Sequence, residues 1–292
     1  MLTVSNEFSD RLFGFVFGSE ENREWTLSLY NAVNGTSYGD PDAISITTIR
    51  TILYLGMHND VSFLIADEMS LYEQQSTYNP NMPLRQMQYA ANVYDRYIKE
   101  HGLNKFSSAV LHLPAPRLVT FYNGPRDMDD EKYLHLTDSF PEGSKSDIEV
   151  TVRMINVNHG HSETILEACE PLKEYAWLIQ EIRDKRKRIS IEDAVNRAID
   201  EVPRDFVIRP FLQAHRTEVY GMLLDEYNEA ETMELFKEEG REEGREEGVA
   251  EGVERSNALY KCLKNDGRLE DYDKAVDDPD YYKQLLAEYK LG

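Results

Sequence analysis

Between Asn59 and Arg85 the chain reads NDVSFLIADEMSLYEQQSTYNPNMPLR, and this stretch constrains the fold more than any other. Val61 to Ala66 and Met69 to Gln75 are short, apolar-rich runs bounded by turn residues, which predicts two strands joined as a hairpin. Side chains alternate between the faces of a strand, so loop length decides which groups meet. A two-residue loop at Ala66-Asp67 sets Asp60 opposite Glu73, and a loop centred on Asp67-Glu68 sets it opposite Gln75. Either register gathers Asp60, Glu73 and Gln75 on one face. A three-residue loop pairs Asp60 with Gln74 instead and breaks the set.

Two carboxylates a few ångströms apart repel each other and favour a cation between them. Oxygen ligands with room left for water suit Mg²⁺ or Mn²⁺ better than zinc. Such an ion activates water and stabilises charge developing on a phosphate. An Asp followed thirteen residues later by Glu-x-Gln resembles the core of the PD-(D/E)XK nucleases, whose last position is usually Lys and sometimes Gln. With LPAPRLVTFYNG (113–124) and the charged tail, the first 220 residues or so resemble the Rpn family of recombination-promoting nucleases and transposase-like proteins.

That resemblance implies an α/β fold: a restriction-endonuclease-like mixed sheet with an αβββαβ core, flanked by helices and followed by a helical C-terminal extension. It implies a Mg²⁺- or Mn²⁺-dependent DNA endonuclease, hydrolysing phosphodiester bonds in DNA recombination or mobile-element biology. Asp60 and Glu73 would hold the metal, the backbone carbonyl of Gln74 would complete the ligands, and Gln75 takes the lysine position. An amide donates a hydrogen bond but supplies neither positive charge nor a base at neutral pH, so the metal must do more. A hairpin carrying Glu-x-Gln also occurs by chance on purely structural sheets, and the resemblance rather than the motif carries the nuclease reading. The alternative is a catalytically weak or inactive scaffold that acts as an oligomerising interaction module.

Charge bears on that choice. The 292 residues carry a formal charge of −22. Residues 225–292 hold 21 acids against 10 bases, and the first 224 hold 33 against 22. Neutralising phosphates needs clustered Lys and Arg, so this balance argues against tight non-specific DNA binding. No apolar run of about 18 residues predicts a membrane span, and the N-terminal MLTVSNEFSDRLF lacks the pattern of a secretory signal. Cys169 and Cys262 have neither metal spacing nor a disulfide framework, which points to a reducing cytoplasm.

Residues 7–33 read as two helices broken near Gly18, with Ser19 as a cap for the second; the resemblance implies an extra acid from the first helix, for which Glu7 and Asp10 are candidates, with surface solvation the preferred reading of both. Residues 44–57 predict another strand. His58, directly before Asn59-Asp60, and Arg85, near the start of a helix after Pro83, are candidate DNA contacts; Arg85 has an equal claim to pair with a nearby acid. That helix shows Leu84, Met87, Ala91, Tyr94 and Ile98 at helical spacing, predicting a face packed on the sheet. Residues 111–123 and 148–158 read as further strands. His159 and His161 follow the last and read as loop histidines without metal.

From residue 162 to 227 the pattern is helical. Leu172, Tyr175, Ile179 and Ile182 form one stripe, closed by the basic run Arg183–Arg188, read as a solvated helix end in preference to a DNA contact. Ser190 caps the next helix, and residues 211–227 predict a third. Beyond it, KEEGREEGREEGVAEGVE places glycines at 240, 244, 248 and 252. Its Glu and Arg residues three or four apart support a helix while each glycine costs about 1 kcal/mol relative to alanine. It reads equally as a self-association element that makes a homo-oligomer or as a marginal linker helix. The division expected is therefore 1–160 as the nuclease-like core, 161–230 as a helical subdomain packed on it, 231–255 as the repeat helix, and 256–292 as short helices.

Overall fold

A computed structural model describes residues 12–47 and 61–291; within 229–251 only a few side chains are described. Asp60, His58, Glu7 and Asp10 lie outside the described residues. The chain divides into two compact units, Met1–Ala230 and Glu231–Gly292.

The first unit is built on a six-stranded mixed sheet. Its strands are β1 (Ser45–Ile46), β2 (Val61–Ile65), β3 (Glu68–Gln75), β4 (Ala115–Tyr122), β5 (Glu131–His135) and β6 (Thr151–Asn156), in the order β1-β2-β3-β4-β6-β5. The hairpin closes on Ala66-Asp67, with Ile65 opposite Glu68 and Val61 opposite Tyr72. Of the registers the sequence allowed, this is the one that sets position 60 opposite 73. Ala66 takes φ +50°, the positive value that two-residue hairpin loops require at their first central position and that normally favours glycine. β1 pairs antiparallel with β2, whereas β4 runs parallel to both β3 and β6.

A parallel pair needs a crossover, and α3 (Met82–Glu100) supplies it between β3 and β4, with proline in its first turn where a missing N–H costs nothing. It packs on one face of the sheet through Tyr89, Ala90 and Val93 against Met69 and Leu71. The buried side differs from the stripe expected. Gln86, Tyr89, Ala90 and Val93 face inward, while Leu84 is 42% exposed. The helix is turned by one residue, about 100°, because Gln86, a polar residue that apolar periodicity passes over, is needed against the sheet.

The opposite face carries α1 (Leu12–Phe17), α2 (Arg23–Asn34), α4 (Glu163–Ala168), α5 (Glu170–Arg186) and α6 (Ile191–Glu201) over one continuous core. Its centre is aromatic: Phe13, Phe63, Tyr72, Phe121 and Tyr175 are fully buried, and the Tyr72 ring meets Phe63 at 5.2 Å and Phe121 at 5.5 Å, edge to face. Ser190 caps α6 by accepting from the Asp193 N–H. Ser19 does not cap α2; its hydroxyl donates back to the Phe15 carbonyl at 2.7 Å, and α2 is entered through a 3₁₀ turn, Glu20–Asn22. The helix expected over 211–227 is two, α7 (Arg209–Ala214) and α8 (Arg216–Asn265), broken at His215. The edge strand β5, EKYLH, has a single buried residue and so lacks the apolar alternation by which a strand is recognised.

In the second unit Leu259 and Leu263 of α8 pack with Ala275 of α9 (Leu269–Asp277) and Leu285 of α10 (Pro279–Glu288). These short helices thus bury their apolar faces against the end of α8. Gly244, Gly248 and Gly252 have no described atom within 4 Å of where a Cβ would stand.

Candidate functional site

Glu73 and Gln75 lie near the carboxyl end of β3, on the face covered by α3. Strand periodicity puts both side chains on that face, and the parallel pairing sets Thr120 of β4 beside Glu73. Glu73 is 1% exposed. A carboxylate so far from water needs positive charge or hydrogen-bond donors to remain ionised. Gln75 Nε2 donates to Glu73 Oε1 at 2.8 Å, and the Arg85 guanidinium reaches the same oxygen at 2.5 Å. Arg85 stands one turn into α3, is about one-third exposed, and also donates to the Tyr89 hydroxyl at 3.1 Å.

Beside it, Gln86 spans the two layers. Its Nε2 donates to the Val119 carbonyl and to Thr120 Oγ1, both at 3.0 Å, while its own Oε1 is buried with no hydrogen-bond partner among the described residues. The described site therefore comprises Glu73, Gln75, Arg85, Gln86, Tyr89 and Thr120. Sequence reasoning missed the last three. A glutamine on the α3 face and Tyr89 three residues on are the only signal, and it becomes legible once the orientation of the helix is known.

The other expected residues divide as follows. Gln74 points to the far face, fully buried against Asn123 at 2.7 Å; with its amide turned, its nitrogen reaches Glu226 Oε1 at 3.1 Å. It thus contributes no side chain to the Glu73 face. His161 leans on Asp130 at 2.8 Å, and His159 is exposed. The basic run is largely paired. Arg183 turns inward to Asn158 and the Asn123 carbonyl, Lys185 holds Glu181 and Glu201, and Lys187 holds Asp184.

Among the described residues no group of three or more His, Cys, Asp or Glu side chains is arranged to hold a metal. A cavity on the α2 face is lined by Tyr30, Tyr38, Glu68, Arg117 and Arg153. Glu68 and the two arginines are matched: Arg117 and Tyr30 both bind Glu68, and Arg153 binds Glu131 and the Val33 carbonyl. Arg117 holds the Glu68 carboxyl below its usual range. No helix among the described residues is long and apolar enough to cross a membrane.

Comparison with known proteins adds no relative: no family model, curated protein or solved structure matches the chain.

Proposed function

We propose that the protein is a divalent-metal-dependent DNA endonuclease of the PD-(D/E)XK, Rpn-like type, hydrolysing phosphodiester bonds in DNA recombination or mobile-element biology. The observation that supports this most is the hairpin register. Val61 stands opposite Tyr72, so Asp60 is covalently next to one member of that pair and Glu73 next to the other. The buried Glu73 carboxylate, held at Oε1 by Gln75 and Arg85, offers the hard oxygen that Mg²⁺ or Mn²⁺ prefers. In this reading Asp60 and Glu73 hold the ion, with the Gln74 carbonyl as a third ligand. Bound there, such an ion would supply charge neutralisation at the phosphate and a more acidic water.

The chain's own residues do the rest. Gln75 spends its amide on Glu73 and fixes the orientation of the carboxylate. Gln86 offers an acceptor oxygen to whatever donor enters beside Thr120. Arg85, and His58 by its place in sequence, are the groups proposed to meet DNA phosphate. With no lysine at position 75, no positive charge comes from that position.

One observation favours the second reading, a scaffold that oligomerises through the glycine-rich part of α8 without catalysis: Glu73 already has a cation, Arg85. Plasmid DNA separates the two. Purified protein in Mg²⁺ or Mn²⁺ is expected to nick it, with loss of activity in both Asp60→Ala and Glu73→Gln. Nicking that survives both substitutions marks a contaminant or another site, and no nicking in either metal leaves the scaffold.

A further inference from the structure

From the Glu73–Arg85 pair we infer that Arg85 is a displaceable internal counter-ion. It holds Glu73 when no metal is bound, competes with a divalent cation for that carboxylate, and on displacement turns its guanidinium to a phosphate of the substrate. The inference rests on the metal reading above and deepens it.

Three features point this way. First, the pair is asymmetric. Glu73 is 1% exposed, whereas Arg85 is about one-third exposed, so the acid is locked in the sheet while its partner straddles the boundary with solvent. Second, the arginine stands at the boundary of the site: it rides on the first turns of α3, next in sequence to exposed Leu84, and its partners include the Tyr89 hydroxyl at 3.1 Å and the Tyr89 ring 6.0 Å away. Third, the contact is made with Oε1, the oxygen that Gln75 also holds. Gln75 is 6% exposed and sits in the same strand as Glu73, so it stays when Arg85 leaves. The carboxylate therefore keeps its orientation through the exchange.

An opposite unit charge beside a carboxylate shifts its proton affinity by one to three pK units, roughly ten- to a thousandfold. A competing cation faces the same barrier, so removing Arg85 should tighten metal binding by at least about tenfold.

The test uses Mn²⁺ and the full chain, reading free ion by electron paramagnetic resonance and stability by tryptophan emission, with no activity assay. Arg85→Gln is expected to bind Mn²⁺ at least tenfold more tightly than wild type. It should melt lower without the ion and gain more from it. If it folds only when Mn²⁺ is present, that dependence is the same result in stronger form. Arg85→Lys, which keeps the charge, should bind close to wild type, and Glu73→Gln should lose the site. Wild type that binds Mn²⁺ through Glu73, beside an Arg85→Gln that binds it no better, overturns the counter-ion while leaving the metal reading standing. Absence of Glu73-dependent Mn²⁺ binding in wild type and Arg85→Gln alike overturns both.

Discussion

Gln75→Glu puts the geometry of the candidate site to a quantitative test. Gln75 Nε2 lies 2.8 Å from Glu73 Oε1, and both residues are buried. The substitution keeps the shape of the side chain and replaces a donated hydrogen bond by a second carboxylate. Two unit charges about 4 Å apart repel by roughly 4 kcal/mol at an effective dielectric of about 20. The lost hydrogen bond to a charged group adds about 1.5–3 kcal/mol. Arg85 attracts both acids and returns part of this, leaving a net cost of roughly 3 kcal/mol. That is a fall in melting temperature of roughly 6–12 °C for a unit of this size.

Both tryptophans, Trp25 and Trp177, lie in the first unit, so their emission reports its unfolding alone. The sign of the pH dependence follows from like-charge repulsion. The folded pair shares a proton, which lifts one carboxyl above its unfolded value of about 4.3. The variant is therefore close to wild type below that value and loses stability as pH rises through the lifted one. Millimolar Mg²⁺ or Mn²⁺ should restore much of the loss. Equal melting of the two proteins at pH 8, or an offset that is the same at every pH, would show that these side chains do not meet.

Three further perturbations address the scaffold. Ala66→Gly relieves a φ of +50° and should stabilise the first unit by about 1 kcal/mol; an unchanged urea midpoint would count against the turn. Glu174 accepts from the Val207 and Ile208 N–H groups, both at 2.9 Å, so Glu174→Gln should cost about 2 kcal/mol, since an amide offers one acceptor to two donors. Burial raises the Glu174 carboxyl above its usual range despite those bonds. The stability that titrates with Glu174 is thus full below the unfolded pKa and is lost as pH rises through the folded one, a trend that melting curves from pH 4 to 8 will reveal or refute. Cys169 is fully buried, which pushes its thiol up to about 11, while Cys262 is partly exposed. A thiol reagent at pH 8 should find one fast cysteine in the native chain and two after unfolding.

The α/β class and the hairpin were legible because short apolar strands flanked by turn residues leave few alternatives. The choice between a loop at Ala66-Asp67 and one at Asp67-Glu68 was not, since both keep the same face and differ only in which backbone adopts positive φ. Strand β5 was hidden because an edge with one buried residue, Leu134, has no second one for it to alternate with. The face of α3 was misread for a related reason. Periodicity counts apolar side chains, and this helix buries Gln86 while leaving Leu84 in solvent. With Gln86 went Thr120 and Tyr89, whose proximity to Glu73 depends on a parallel pairing 47 residues along the chain. The Arg85 alternative, by contrast, was visible in sequence as a choice between phosphate and acid; the ion pair with Glu73 is the acid side of that choice, and the proposed exchange would make the two consecutive.

That sequence of events bears on how so acidic a chain could meet DNA at all. A formal charge of −22 opposes a permanent phosphate-binding surface, and most of the basic run 183–188 is committed to internal partners. An arginine that is neutralised by Glu73 until a divalent cation takes its place contributes its charge only in the loaded state. Each phosphate neutralised adds about 0.9 to the slope of log affinity against log salt on duplex DNA. The exchange therefore predicts a slope steeper by about one with Ca²⁺, as a non-hydrolysing substitute, than with chelator present. Arg85→Gln should abolish that difference; a slope indifferent to the ion in wild type would mean that Arg85 remains with Glu73 when the ion is bound.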